Sequence, residues 1–257
     1  MAINPDQYSV LTLVERVDFS EDLAVFRMRA PEPVEFTPGQ YATIGLVDES
    51  LDRPLLRPYS VASEPGHTDL EFFIERVEDG DLTSRLWELE QGAEIWMRKK
   101  IVGRFVLDTS RRYHVMAATV TGVGPYISIA RHQQRALAAG EMDVPHRFLI
   151  LHGASRSWEL GTYREELSAL EQEVDWLEYV PTVSRPWEDP DWSGERGRVE
   201  DVLRKHLDAR SVPIDETAAY TCGHPKMIEK AQGILERAGL DEEVIHEEKY
   251  FVERNAG

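Results

Sequence analysis

The sequence predicts two domains: an antiparallel β-barrel or sandwich over residues 1–108, then an α/β doubly wound parallel sheet over residues 109–257. Three observations predict this. The first hundred or so residues read as short strands separated by turns, with a single helical interruption. From about Tyr113 onward, short apolar runs alternate with segments of helical period. A chain of 257 residues is also long enough to bury two separate cores.

In chain order, residues 8–17 and 23–29 alternate apolar and polar side chains, as half-buried strands do. Pro38-Gly39 marks a turn, and residues 41–47 and 70–77 are further strands. Leu82, Leu86 and Leu89 share a helical face, and Asp81, just after Gly80, is a suitable cap. Beyond a boundary near residues 107–112, residues 115–118 form a strand, 127–139 a helix stopped by Gly140, and 148–152 a strand. Thr162 and Glu165 have capping-box spacing ahead of Tyr163, Leu167 and Leu170. Residues 174–180 follow as a strand. Val199, Val202 and Leu203 mark a helix, and residues 218–222 another strand. Pro225 suits the first turn of a helix carrying Met227, Ala231 and Leu235, and residues 244–251 close the chain as a strand. Residues 184–196, rich in Pro, Asp and Trp, form the least regular stretch.

Composition narrows the function classes. No apolar run approaches the length of a membrane span, and residues 1–8 lack the pattern of a secretory signal, so a cytoplasmic location is expected. Cys222 is the single cysteine, which excludes an internal disulfide and a cysteine-ligated cluster within this chain. The eight histidines show no paired ligand spacing, and no metal site is expected. With 47 acidic against 29 basic residues the net charge is −18, which argues against nucleic-acid binding. The same acidity fits either a strongly solvated surface or adaptation to high salt.

Ligands of doubly wound sheets sit at the carboxyl ends of the strands. There the first strand of the second domain runs into Thr121-Gly122-Val123-Gly124-Pro125 and a helix. Glycines in such a turn let backbone amides approach a phosphate, although a plain tight turn accounts for them nearly as well. Arg156, Arg185 and Arg198 lie just beyond strand ends, and guanidinium forks match phosphate oxygens. Three unrelated surface arginines are the alternative. In the first domain, Arg57-Pro58-Tyr59-Ser60 offers a cation, a flat ring and a hydroxyl, or an ordinary strand start.

Taken in order, these segments resemble the ferredoxin/flavodoxin–NADP reductases of the bacterial branch. Arg57-Pro58-Tyr59-Ser60 is similar to that family's R-x-Y-S flavin motif, and Phe36-Thr37-Pro38-Gly39-Gln40-Tyr41 to the F-x-x-G-Q-[FY] segment before it. Gly80-Asp81-Leu82-Thr83 resembles the G-x-L-[ST] turn at the flavin pyrophosphate. Residues 121–125 resemble the nicotinamide-side glycine loop, and Cys222-Gly223-His224-Pro225-Lys226-Met227 resembles C-G-[NP]-P-x-M. Val120 and Gly122 depart from the residues expected beside the glycine loop. The five motifs span almost the whole chain.

The resemblance implies a six-stranded antiparallel FAD barrel followed by an NADP domain, with FAD and NADP(H) as cofactors. It implies that Arg57 binds the FAD pyrophosphate beside Pro58, that Tyr59 packs on the isoalloxazine, and that Ser60 hydrogen-bonds near its N5. Phe73 would line the flavin site, and Asp81, Leu82 and Thr83 would meet phosphate at a helix start. Thr121, with Gly122 and Gly124, would sit near both cofactors. Arg156, Arg185 and Arg198 match positions for the 2′-phosphate of NADP, with one extra residue of spacing before Arg156. Cys222 and Gly223 would lie beside the nicotinamide, Tyr250 on the isoalloxazine face, and Phe251 at the adenine end. Ser60, Tyr59, Cys222 and Tyr250 are thus the residues expected around the reaction.

The implied activity is exchange of electrons between NADPH and a ferredoxin or flavodoxin, by a monomer. Arg98, Lys99, Lys100 and Arg104 form a local basic cluster suited to docking such an acidic partner. An NADH-preferring flavin reductase, a non-catalytic flavin-binding redox sensor and a flavin-free doubly wound domain are the alternatives.

Overall fold

The computed structural model describes residues 5–47, 54–78 and 80–250. Among these, contacts group residues 5–106 with 128–132 in one unit, and residues 107–127 with 133–250 in a second.

The first unit is a single antiparallel sheet. Its strands are β1 (Tyr8–Asp18), β2 (Leu23–Val34), β3 (Tyr41–Leu46), β4 (Leu55–Ser60), β5 (His67–Glu75) and, after helix α1 (Asp81–Trp87), β6 (Glu94–Arg98). They lie in the order β4-β3-β6-β1-β2-β5. Alternation fixes which face turns inward. On β2, Phe26, Met28 and Ala30 are buried while Arg27 and Arg29 point out to Glu71, Glu15 and Asp69. The buried face gathers Leu11, Leu13, Phe26, Ile44, Leu70, Phe72, Ile95 and Met97, closed by Leu82 and Leu86 of α1. The edges β4 and β5 approach each other, where the Ala62 N–H donates to the Glu71 carbonyl at 2.9 Å. The barrel expectation is met by this half-barrel sheet.

Several local expectations change. β2 runs five residues past Arg29, to Val34. β6 is an additional strand that sets only Ile95 and Met97 into the core. Asp81 is not the cap: Gly80 holds the extended backbone of the N-cap, and Asp81 is the first helical residue.

The second unit is a six-stranded parallel sheet. From residue 107 on, the elements in chain order are β7 (Tyr113–Thr119), α2 (Gly124–Ala138, of which residues 128–132 group with the first unit), β8 (Arg147–Ala154), α3 (Tyr163–Glu173), β9 (Leu177–Val183), β10 (Glu195–Arg196), α4 (Val199–Arg210), β11 (Thr217–Gly223), α5 (Pro225–Arg237) and β12 (Ile245–Lys249). The strand order is β10-β9-β8-β7-β11-β12. Seven of the eight β8 residues and every β11 residue are buried, as strands covered on both faces must be. The chain steps outward from β7 through β8 and β9, then crosses to β11 on the other side. The strand order therefore reverses between β7 and β11, which is where such sheets open a crevice for ligands.

α2 begins at Gly124, three residues before Ile127, with Pro125 in its first turn. The Thr162 capping box does not form, because the Thr162 backbone is already helical (φ −65°, ψ −18°) and its side chain makes no cap. β9 starts at Leu177, and the last strand ends at Lys249. Among the described residues no helix is long and apolar enough to cross a membrane.

Candidate functional site

In the first unit, β4 carries residues 57–60 paired against β3, with Ile44 opposite Arg57, Thr43 opposite Pro58, Ala42 opposite Tyr59 and Tyr41 opposite Ser60. Pro58 is exposed, as a residue without an N–H should be on an edge strand. Tyr59 rests against the apolar core, and burial pushes its phenol well above the ordinary range, so it stays neutral. Ser60 is buried. Arg57 Nη1 donates to the Leu56 carbonyl at 3.0 Å.

Helix α1 packs against β4, bringing the Gly80–Thr83 segment to the same strand. Leu82 and Thr83 are buried. The Thr83 hydroxyl accepts from the Val77 N–H at 3.1 Å and fixes the entry to the helix. Asp81 is exposed in the first turn. Its carboxylate repels an anion, so only its backbone amide can serve one. Phe73 is buried on β5, edge-on to Phe19 with ring centroids 5.9 Å apart.

In the second unit, β7 ends in a 3-10 turn, Val120–Val123. Gly122 lies so close to β11 that a Cβ would fall 2.4 Å from the Cys222 carbonyl oxygen. Its lack of a side chain is thus required by chain packing itself, whatever it does for a ligand. Gly223, at φ +121°, likewise leaves no room, since a Cβ there would lie 2.2 Å from Thr119 Oγ1. Tyr250 closes the group. Its N–H donates to the Gly223 carbonyl at 3.2 Å and its hydroxyl to the Thr121 carbonyl at 3.1 Å. Thr121, Gly122, Cys222, Gly223 and Tyr250 therefore meet at the point where the strand order reverses. Gly124 starts α2 immediately behind them. Burial pushes the Cys222 thiol well above its ordinary pKa, Glu248 adds to the effect, and a hydrogen bond from Tyr250 opposes it. The thiol stays protonated and is no nucleophile.

This turn rests on His152, which belongs to none of the motifs. Val120 has φ +43°, a left-handed conformation that a β-branched side chain rarely adopts. His152, fully buried two residues before the end of β8, has Nε2 2.9 Å from the Val120 carbonyl and Nδ1 3.1 Å from the Tyr179 hydroxyl. A carbonyl can only accept, so Nε2 carries the proton and Nδ1 accepts from Tyr179. Burial lowers the His152 pKa to about 4, which keeps this neutral tautomer in place. The sole sequence signal was a histidine ending an otherwise apolar strand.

Arg156 and Arg185 meet beyond the ends of β8 and β9. The Arg185 N–H donates to the Ser155 carbonyl at 2.9 Å. Arg156 Nη1 lies 3.0 Å from Glu159 Oε1, and its Nε lies 2.6 Å from Glu188 Oε2. Bonds to Glu159 and then Glu188 hold the Arg156 pKa above its ordinary value. Arg185 lies 3.8 Å from the other Glu188 oxygen. Arg198 is the exposed N-cap of α4 and forms no ion pair among the described residues. Phe251, assigned to an adenine end, lies outside the described residues.

Comparison with known proteins agrees with this division. The family description "Oxidoreductase FAD-binding domain" matches residues 10–106, and "Oxidoreductase NAD-binding domain" matches residues 116–233. The ferredoxin–NADP reductase of Azotobacter vinelandii is 30% identical over 248 residues, covering 88% of this chain and 90% of its own length. The flavodoxin/ferredoxin–NADP reductase of Rhodobacter capsulatus is 28% identical over 253 residues, covering 93% of this chain and 89% of its own. The crystal structure of a ferredoxin NADP+ reductase from Neisseria gonorrhoeae, with bound FAD and NADP, shares the fold at a TM-score of 0.79 and 22% identity. It covers 95% of this chain and 99% of that one.

Proposed function

Because the chain belongs to the ferredoxin–NADP reductase family, we propose that it is a cytoplasmic, monomeric reductase exchanging electrons between NADPH and a ferredoxin or flavodoxin. The observation that carries this reading is the meeting of Thr121, Cys222 and Tyr250, from three separate segments, at the ends of β7 and β11. The balance is simple: one NADPH gives NADP+, a proton and two electrons, and each of two acceptor molecules takes one. When bound, FAD would supply the chemistry that divides a hydride's electron pair into single electrons.

The donor set fits that cofactor. Arg57 offers a fixed cation for the pyrophosphate in a chain of net charge −18. The neutral ring of Tyr59 offers a flat surface for the isoalloxazine beside Pro58 and Phe73, and the buried Ser60 hydroxyl a hydrogen bond near N5. The backbone amides of Asp81 and Leu82 and the hydroxyl of Thr83 would hold the phosphates. In the second unit, Cys222 offers a small neutral thiol beside the nicotinamide, and Tyr250 serves the isoalloxazine face. Arg156, Arg185 and Arg198 receive the 2′-phosphate. The exposed cations Arg98, Lys99, Lys100 and Arg104 dock the acidic protein acceptor.

One observation favours a second reading, an NADH-preferring flavin reductase. Two of the three arginines are already joined to a carboxylate. The deciding experiment is the visible spectrum of the purified holoprotein before and after anaerobic NADPH, with NADH in parallel. We expect a yellow protein bleached much faster by NADPH. Equal bleaching would move the reading to the NADH-preferring enzyme. A yellow protein reduced by neither would leave a flavin-binding sensor, and a colourless one that takes up no added FAD would overturn both.

A further inference from the structure

The Arg156–Glu188–Arg185 cluster is internally balanced, since Glu159 and Glu188 offset the two guanidinium charges. The two carboxylates are held differently. Glu159 is built into the backbone, accepting from the N–H groups of Ser155 at 2.8 Å and Arg156 at 3.1 Å. Glu188 ends the short 3-10 turn Pro186–Glu188, and among the described residues its carboxylate binds guanidinium groups alone. Its side chain is part-exposed, whereas that of Glu159 is less so. Exposed aromatics flank the cluster: Trp158, 5.7 Å beneath the Arg156 guanidinium, and Trp187, 73% exposed beside Glu188.

A phosphate dianion and a carboxylate compete for the same guanidinium fork. A ribose hydroxyl, by contrast, is a donor that a carboxylate accepts. From this geometry, and resting on the arginine roles proposed above, we propose that Glu188 sets the choice between NADPH and NADH. It occupies the arginines that the 2′-phosphate needs, and it offers an acceptor to the 2′-hydroxyl of NADH. Entry of a 2′-phosphate requires the carboxylate to leave Arg156 and Arg185. Entry of a 2′-hydroxyl does not.

The test uses the holoprotein, with adenosine 2′,5′-bisphosphate and 5′-AMP as probes titrated by calorimetry and followed by Trp emission. Glu188→Gln keeps the size of the side chain but removes its charge. It should tighten the 2′-phosphate probe about fivefold, the scale of releasing one part-exposed ion pair. It should leave 5′-AMP unchanged or weaker, so the ratio of the two affinities rises. The steady-state KM ratio of NADH to NADPH should rise with it. An unchanged ratio in Glu188→Gln, while Arg185→Gln weakens the 2′-phosphate probe, would overturn the role of Glu188 alone. If Arg185→Gln and Arg156→Gln both leave that probe's affinity untouched, the arginine assignment falls and takes this inference with it.

Discussion

In the first unit, residues 57–60 ride on a regular edge strand whose alternate side chains are rooted in an apolar core. In the second unit, the Val120–Val123 turn is fixed by backbone against backbone, and by a buried imidazole that reaches a strained carbonyl. The first arrangement has slack, because a side chain can be shortened and its neighbours can relax. The second has little, because Gly122 abuts the main chain at the end of β11. The first sheet has one histidine in its strands, His67, and it is exposed. The second unit buries His114 and His152.

Acid should break the comparison most strongly. Burial, aided by His146, lowers the His114 pKa to about 3, and burial lowers that of His152 to about 4, both from 6.5. The folded-state values lie below the unfolded one, so the unfolded chain binds these protons first as pH falls. The two groups' contribution is complete above about pH 6.5 and is lost as pH falls from there toward 4 and then 3. The loss should be on the order of a few kcal/mol. Hydrogen exchange at pH 7 and pH 4.5 should show amides of β7, β8 and β9 losing protection ahead of those of β1, β2 and β5. Equal losses in both sheets would show that these imidazoles do not govern acid stability.

A smaller effect separates the two sites directly. Gly122→Ala puts a methyl group 2.4 Å from the Cys222 carbonyl oxygen and should cost about 3 kcal/mol. Ser60→Ala leaves the strand geometry intact and should cost about 1 kcal/mol, while slowing reduction by NADPH. Denaturant titration of the two holoproteins checks this. Similar costs would mean that the turn yields as readily as the strand.

The sequence made the elements and the contiguous motifs legible, because period and turn chemistry are local. The alternation on β2 and the unbroken apolar run of β8 announced opposite kinds of sheet. β6 leaves little mark in the sequence because only Ile95 and Met97 turn inward, just before a run of cations. The missing parts of the candidate site share one property: they depend on pairing across distant segments. His152 meets Val120 from 32 residues away, and Arg156 meets Glu188 across the same separation. No local pattern tells a free arginine from a paired one, although that difference decides what the arginine can bind.

The same distinction gives the smallest effect on stability and the sharpest on partner choice. Arg98, Lys99, Lys100 and Arg104 of the first unit are exposed and form no ion pair among the described residues, whereas Arg156 and Arg185 of the second are engaged. Unengaged cations project a field that steers an acidic protein, and salt screens that field. Replacing Lys99 and Lys100 together by Glu should leave stability within about 0.5 kcal/mol, as for surface positions generally. Reduction of the holoprotein by NADPH should also be unchanged. Electron transfer to an acidic ferredoxin or flavodoxin should slow about tenfold at low salt, with the gap closing as salt rises. Unchanged transfer at low salt would remove this cluster as the docking surface. A slowing that persists at high salt would point to lost contact rather than lost field, since only a long-range effect of exposed charge is screened away.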